Sequence, residues 1–186
     1  NQMKTIFLDR DGVINKDFGY VYKWDDFEFI NGSLLALQNL TKYNFQIIIV
    51  TNQAGIAKGL YTEDDLQILI TSFLNFCNQS KVKILDIMFC PHHIDGVIPK
   101  YTKCCNNRKP KPGMFIKASK IYKLELKSSI MVGDNVTDIQ ASTSAGIIEN
   151  YLVDNKNKDI IATKKFSFKF KKNLFEASKE IILKHT

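Results

Sequence analysis

The sequence has no apolar run approaching the ~20 residues needed to span a bilayer, which argues against a membrane-spanning helix. No basic and apolar leader precedes the first strand-like stretch, so a cytoplasmic protein is expected. Internal repeats and linkers are also missing. With 186 residues, enough for a full core, one domain over residues 1–186 is expected. Cysteine is scarce: Cys77, Cys90, Cys104 and Cys105. Without an export signal these do not suggest a disulfide framework. Cys77 falls on a helical stretch and reads as a buried core thiol. The other three share one segment with His92 and His93, which points to a metal.

What the chain has in excess is positive charge, +7 in all. Such a balance suits a nucleic-acid partner or a small anionic substrate equally. The basic residues are spread out, and their densest run is KKFSFKFKK at residues 164–172. A half-buried strand with lysines on its wet face explains that run without any nucleic acid.

Hydrophobic periodicity reads residues 4–8, 45–50, 84–89, 129–133, 147–153 and 166–170 as strands. Residues 32–43, 62–80, 113–123, 136–145 and 173–184 read as helices, with Thr62 as an N-cap followed by acids. Strands alternating with helices predict an α/β fold: a doubly wound, mostly parallel sheet with helices on both faces. Two irregular stretches interrupt this alternation. One, residues 16–31, is polar and aromatic and too long for a plain connection. The other, residues 90–112, is rich in Cys, His, Pro and Lys.

The stretch IFLDRDGVIN at residues 6–15 carries the chemistry. A buried strand stops at Asp9, a second acid follows at Asp11, and Gly12 permits a sharp turn. Ligands of open α/β sheets bind at such strand ends. Two acids so close need a cation, a shared proton or separate roles. The second strand ends at Thr51-Asn52 and the fourth at Asp134, with Asp138 one helical turn on. Arg108 and Lys109 leave the second irregular stretch. Each of these has an ordinary explanation alone, as a turn, a helix start or a solvated cation. Together, in this order and at one sheet edge, they fit phosphoryl transfer. Asp9 would be the nucleophile forming an aspartyl-phosphate. Asp11 would protonate the leaving alkoxide and then deprotonate the attacking water. Magnesium would sit on Asp9, Asp134 and the backbone carbonyl of Asp11. Thr51 and Lys109 would hold the phosphoryl oxygens, with Asp138 orienting Lys109.

The motifs DRDGV, TNQ, RKPKPG and GDNVTD, in that order, resemble those of the haloacid dehalogenase superfamily of phosphatases. With DFGYV, FEFI, TNQAGIAKG and CPHH added, the chain resembles the family of D-glycero-D-manno-heptose 1,7-bisphosphate 7-phosphatases from about Ile6 to Val153. The resemblance implies a Rossmannoid core with small loop insertions in place of a cap domain. It implies the roles given above to Asp9, Asp11, Thr51, Lys109 and Asp134. It also implies that Asp17, Phe18, Gly19, Tyr20, Asn52, Gln53, Ala54 and Arg108 meet a sugar bisphosphate. The implied reaction removes the C7 phosphate on the route to nucleotide-activated heptose for lipopolysaccharide and other surface polysaccharide. The expected form is a monomer without nucleic-acid or membrane partners. Histidinol-phosphate phosphatases share the plan and are the nearest rival. A polynucleotide 3′-phosphatase and a silent binding module are the more distant ones, the latter at odds with an intact set of acids.

Two departures stand out. The resemblance implies a structural zinc loop, Cys-x-His followed by Cys-x-Cys directly before Arg-Lys-Pro. Here Cys90, His92 and Cys105 fill three positions and Asn107 the fourth. Cys104, His93 or water remain as the fourth ligand. The family also often carries Lys after the last motif's first Asp, where this chain has Asn135.

Overall fold

The computed structural model describes residues 3–153 and 166–186. Among these residues, six strands form one sheet: β1 (Thr5–Leu8), β2 (Gln46–Asn52), β3 (Asp86–Cys90), β4 (Ile130–Gly133), β5 (Glu149–Val153) and β6 (Lys169–Lys171). Their order is β3-β2-β1-β4-β5-β6, and every neighbouring pair is parallel. Five described helices cover it: α1 (Ser33–Lys42), α2 (Glu63–Gln79), α3 (Gly113–Tyr122), α4 (Val136–Ala145) and α5 (Leu174–His185). This is the expected doubly wound architecture.

The central strands are continuous apolar runs because both faces are covered. Alternate residues enter two separate cores. Ile6, Leu8, Ile47, Ile49, Ile130 and Val132 pack with residues of α1, α2 and α5. Phe7, Ile48, Val50 and Met131 pack with Met114, Phe115 and Ala118 of α3 and Ala141 of α4. Cys77 lies in the first core, and burial pushes its thiol up to about 12, so it is a core thiol as expected.

Helix α2 starts with a reciprocal cap: the Asp65 N–H donates to Thr62 Oγ1 at 3.0 Å, and the Thr62 N–H donates to Asp65 Oδ2 at 2.9 Å. Helix α4 repeats the device with Asn135 and Asp138. No helix among the described residues is long and apolar enough to cross a membrane.

Three strands start two or three residues later than expected, and β2 runs on to Asn52. β3 begins at Asp86 because residues 84 and 85 only approach the sheet, the Leu85 N–H reaching Ile47 O at 2.8 Å. β5 begins at Glu149, since Ile147 is buried by packing without joining the ladder. The last strand shrinks to Lys169–Lys171, a short edge strand on which Phe170 is exposed. Its lysines pair with Glu180 of α5, at 3.0 Å from Lys169 and 2.8 Å from Lys171. Part of the expected KKFSFKFKK strand lies outside the described residues.

Both irregular stretches lie at the C-terminal edge of the sheet. In residues 16–31, Trp24 stacks on Phe27 at 5.2 Å, and Phe27 meets Phe73 of α2 at 5.4 Å. The aromatic half of this loop is thus fixed on α2, while residues 17–20 stay exposed. Residues 91–112 carry one 3-10 turn, Pro99–Tyr101, and lead into α3.

Candidate active site

Strand order reverses between β1 and β4, and β1 ends against β4 through a hydrogen bond from the Asp9 N–H to Val132 O at 3.1 Å. Such a switch point opens a crevice beyond the strand ends. A cavity of about 310 Å³ lies there, lined by Asp9, Asp11, Thr51, Arg108, Lys109 and Asp134 among others.

Lys109 is the deepest of these groups. It is 4% exposed, and its Nζ donates to Val50 O at 2.8 Å, Asp9 Oδ1 at 3.0 Å and Asp138 Oδ1 at 2.5 Å. All three ammonium hydrogens therefore have partners. Burial opposes the charge, but Asp138 and Asp9 more than offset it and hold the group above the ordinary lysine range. The second oxygen of Asp138 accepts the backbone N–H groups of Asp134 and Asn135, both at 3.1 Å. Asp138 is thus an anchor for Lys109 and a cap for α4 in one.

Asn52 holds the same lysine by its backbone. Its Oδ1 accepts the Lys109 N–H at 3.0 Å, and its Nδ2 donates to Lys109 O at 3.1 Å. Both ends of this amide are occupied by the protein, where the resemblance implied a sugar contact.

Asp11 is held from three sides. Its Oδ1 accepts Arg10 Nη2 at 2.8 Å and Asn15 Nδ2 at 3.0 Å, and its Oδ2 accepts Gln53 Nε2 at 3.4 Å. Gln53 Nε2 also donates to Thr51 Oγ1 at 2.9 Å, and Gln53 Oε1 accepts the Tyr61 hydroxyl. Arg10 reaches on to Val21 O at 2.6 Å, tying the acid to the 16–31 loop. Arg10, Asn15 and Tyr61 escaped the sequence reading. Arg10 stands inside DRDG, but its contacts depend on a loop whose path the sequence does not show.

Asp9, Asp134 and Asp138 bring carboxylate oxygens within 4.8 Å of one another. With Asp138 anchored as described, Asp9 and Asp134 remain as the hard oxygen donors, and the Asp11 carboxylate stands outside the cluster. Gly12 has φ +84°, and a Cβ there would fall on the Asp134 carboxylate, so only glycine lets the turn approach it. This donor set suits magnesium. Burial and the Asp138 charge push Asp9 up to about 6, against the opposing pull of Lys109.

Of the residues expected at the substrate, Asp17, Tyr20, Asn52, Gln53, Ala54 and Arg108 line the cavity. Phe18, 61% exposed, and Gly19 face a separate depression on the outer side of the loop.

Cys90, His92 and Cys105 also come together, their donor atoms within 4.8 Å of one another. Burial pushes the Cys90 thiol up to about 11 and lowers His92 from its usual range, so a metal binding here must displace the Cys90 proton. Two thiols and an imidazole fit zinc. Cys104 does not join them: it is exposed, and Lys111 Nζ donates to its sulfur at 2.9 Å. Neighbouring Cα–Cβ bonds diverge, so Cys105 facing inward turns Cys104 out. The Asn107 N–H donates to Cys105 Sγ at 3.4 Å.

Comparison with known proteins agrees with this geometry. The sequence model of the polynucleotide kinase 3 phosphatase family matches residues 5–174. The D-glycero-alpha-D-manno-heptose-1,7-bisphosphate 7-phosphatase of Photorhabdus laumondii is 46% identical over 82% of this chain and 84% of its own. The D-glycero-beta-D-manno-heptose-1,7-bisphosphate 7-phosphatase of Escherichia coli is 42% identical over 80% and 78%. The D,D-heptose 1,7-bisphosphate phosphatase of B. bronchiseptica, solved with magnesium and phosphate, superposes with a TM-score of 0.86 at 29% identity, covering 98% of this chain and 99% of that one. The fold and site define a phosphomonoester hydrolase of the haloacid dehalogenase type. Within that class, the chain belongs to the family of heptose 1,7-bisphosphate 7-phosphatases.

The raised Asp9 makes a testable demand on pH. A cation must displace the proton that Asp9 holds below about pH 6. Magnesium affinity should therefore be flat above that pH and fall about tenfold per unit below it. Calorimetric titrations from pH 5 to 8 check this. An affinity unchanged across the range would show that Asp9 does not ligate the ion.

Proposed function

We propose that this protein removes the C7 phosphate of D-glycero-D-manno-heptose 1,7-bisphosphate through an aspartyl-phosphate. The observation that carries the reading is the buried Asp9–Lys109–Asp138 chain at the foot of a cavity whose rim holds Arg108, in a chain 41–46% identical to enzymes named for that reaction.

Asp9 supplies the attacking oxygen. As its charge passes into the new P–O bond, the Lys109 hydrogen held by Asp9 Oδ1 at 3.0 Å is released to a phosphoryl oxygen, Val50 O and Asp138 keeping the ammonium in place. Thr51 adds a hydroxyl donor on the other side. Asp11, oriented by Arg10, Asn15 and Gln53, gives its proton to the leaving sugar oxygen. The same carboxylate then takes a proton from the water that cleaves the acyl phosphate. Asp9, Asp134 and the Asp11 carbonyl would hold magnesium, which would supply neutralisation of the phosphoryl charge.

This division of labour separates the two acids. Asp9→Asn removes nucleophile and ligand and should abolish turnover. Asp11→Asn should lower turnover about 10²–10⁴-fold while leaving magnesium affinity within a few fold. Equal loss of magnesium binding in both variants would overturn the assignment.

Substrate choice is tested by phosphate release from both heptose bisphosphate anomers, fructose 1,6-bisphosphate, histidinol phosphate and a 3′-phosphorylated oligonucleotide. The two anomers belong in the panel because relatives of both names match. The oligonucleotide tests the second reading, which the family model's description and the +7 charge favour. The heptose bisphosphate should exceed the others by at least tenfold. Preference for the oligonucleotide, with turnover collapsing as salt rises, would replace it.

Zinc belongs to the same reading. Cys90, His92 and Cys105 would hold it with a fourth ligand other than Cys104, and the ion would pin the loop that delivers Arg108 and Lys109. Protein purified without chelator should contain close to one equivalent. Cys105→Ser should lower stability and phosphate affinity together. Less than a tenth of an equivalent, with activity unchanged by added zinc, would sink this part.

A further inference from the structure

The cavity contains four cations, and they are not equally engaged. Lys109 is shared by two carboxylates, and Arg10 is paired with Asp11 and with the Val21 carbonyl. Among the described residues, neither Lys58 nor Arg108 forms an ion pair. Arg108 Nη1 is buried without any hydrogen-bond partner. Lys58 meets only Tyr20: its Nζ donates to the Tyr20 hydroxyl at 3.0 Å and lies 5.6 Å from the ring centroid. An ammonium has three donors, and one neutral phenol oxygen is a weak claim on them.

These two side chains come from different loops. Lys58 stands on the turn after β2, where its N–H donates to Ala54 O at 3.1 Å. Arg108 stands at the exit of the 91–112 stretch. Both cations act electrostatically on His93, which puts them in one neighbourhood. Asn135, also in the cavity wall, offers no charge, and its Oδ1 is occupied by the Thr137 N–H at 3.1 Å and hydroxyl at 3.2 Å.

We propose that Lys58 is a specificity residue which, with Arg108, grips the second, non-reacting phosphate of a bisphosphorylated substrate, Tyr20 serving as the rest on which Lys58 waits when the site is empty. The proposal rests on the sugar bisphosphate reading and adds to it a residue on the 53–60 turn. A doubly charged phosphate outcompetes a phenol for an ammonium, so binding transfers Lys58 from Tyr20 to the ligand. Tyr20 is held ready for this. It adopts φ +53° beside Gly19, whose N–H is received by Asp17 Oδ1 at 3.0 Å, and its ring packs over Gly55, where a Cβ would collide with it.

The test compares wild type, Lys58→Met and Lys58→Arg on heptose 1,7-bisphosphate, fructose 1,6-bisphosphate and p-nitrophenyl phosphate. The methionine keeps the stem and removes the charge. KM for the preferred bisphosphate should rise tenfold or more with kcat within about threefold, the signature of lost binding. The rise for the aryl phosphate should be at least tenfold smaller. Lys58→Arg should recover most of the bisphosphate affinity, which a packing role for the stem would not produce. Equal rises for both substrate types, or none for the bisphosphate, would overturn the proposal. A wild type that prefers fructose 1,6-bisphosphate refutes the heptose assignment alone, and Lys58 is then judged on that substrate. A wild type with no preference for any bisphosphate refutes both.

Discussion

The structure turns on one buried ammonium. Lys109 Nζ is bonded to a carbonyl of β2, to the aspartate that ends β1 and to an aspartate in the first turn of α4. A buried lysine without partners would cost several kcal/mol or lose its proton. Here each partner belongs to a different element, so the charge is stable only when β1, β2 and α4 stand in register. The catalytic geometry and the fold are therefore one constraint. Asn52 extends it by fixing the Lys109 backbone to the end of β2, which places the 91–112 stretch relative to the sheet.

Topology explains why the site lies where it does. The order β3-β2-β1-β4-β5-β6 sends the connections after β1 and β4 to opposite sides, leaving a crevice between their ends. Asp9 and Asp11 enter from one side and Asp134 from the other, and the missing side chain of Gly12 lets them close up. The N-terminus of α4 also opens on this crevice: the N–H groups of Asp134 and Asn135, just before the helix, are received by Asp138, and that of Thr137 by Asn135 Oδ1.

Much of this was legible because it rests on local pattern. Buried parallel strands give unbroken apolar runs, and strand ends followed by acids mark the crevice, so Asp9, Asp11, Thr51, Lys109 and Asp134 could be named from spacing. Pairings set by loop paths were not legible. Phe18 and Tyr20 are two residues apart, yet the left-handed turn at Gly19 and Tyr20 sends one outward and the other over the cavity. Cys104 and Cys105 are indistinguishable in sequence, and only the backbone direction decides which faces Cys90 and His92. Asn52 lines the cavity as the resemblance implied, but its two bonds to Lys109 depend on a residue 57 positions away.

The site divides into a foot that cannot change and a rim that can. At the foot, Lys109 is bonded to both Asp9 and Asp138, so losing the ammonium would leave two buried carboxylates without their cation. At the rim, Asp17, Tyr20 and Lys58 are exposed or half-buried and are held by single bonds, whereas Gln53, Ile56 and Ala57 of the same turn are buried. A substitution at the first three costs the fold little. This asymmetry accounts for a family model described for polynucleotide 3′ ends matching a chain whose curated relatives act on sugar bisphosphates. The model's 5–174 span carries the foot, which performs the same phosphoryl transfer whatever sugar bears the phosphate. On the proposed reading, the substrate is distinguished by side chains of the 16–31 loop, the 53–60 turn and the 91–112 stretch that line the cavity above this centre.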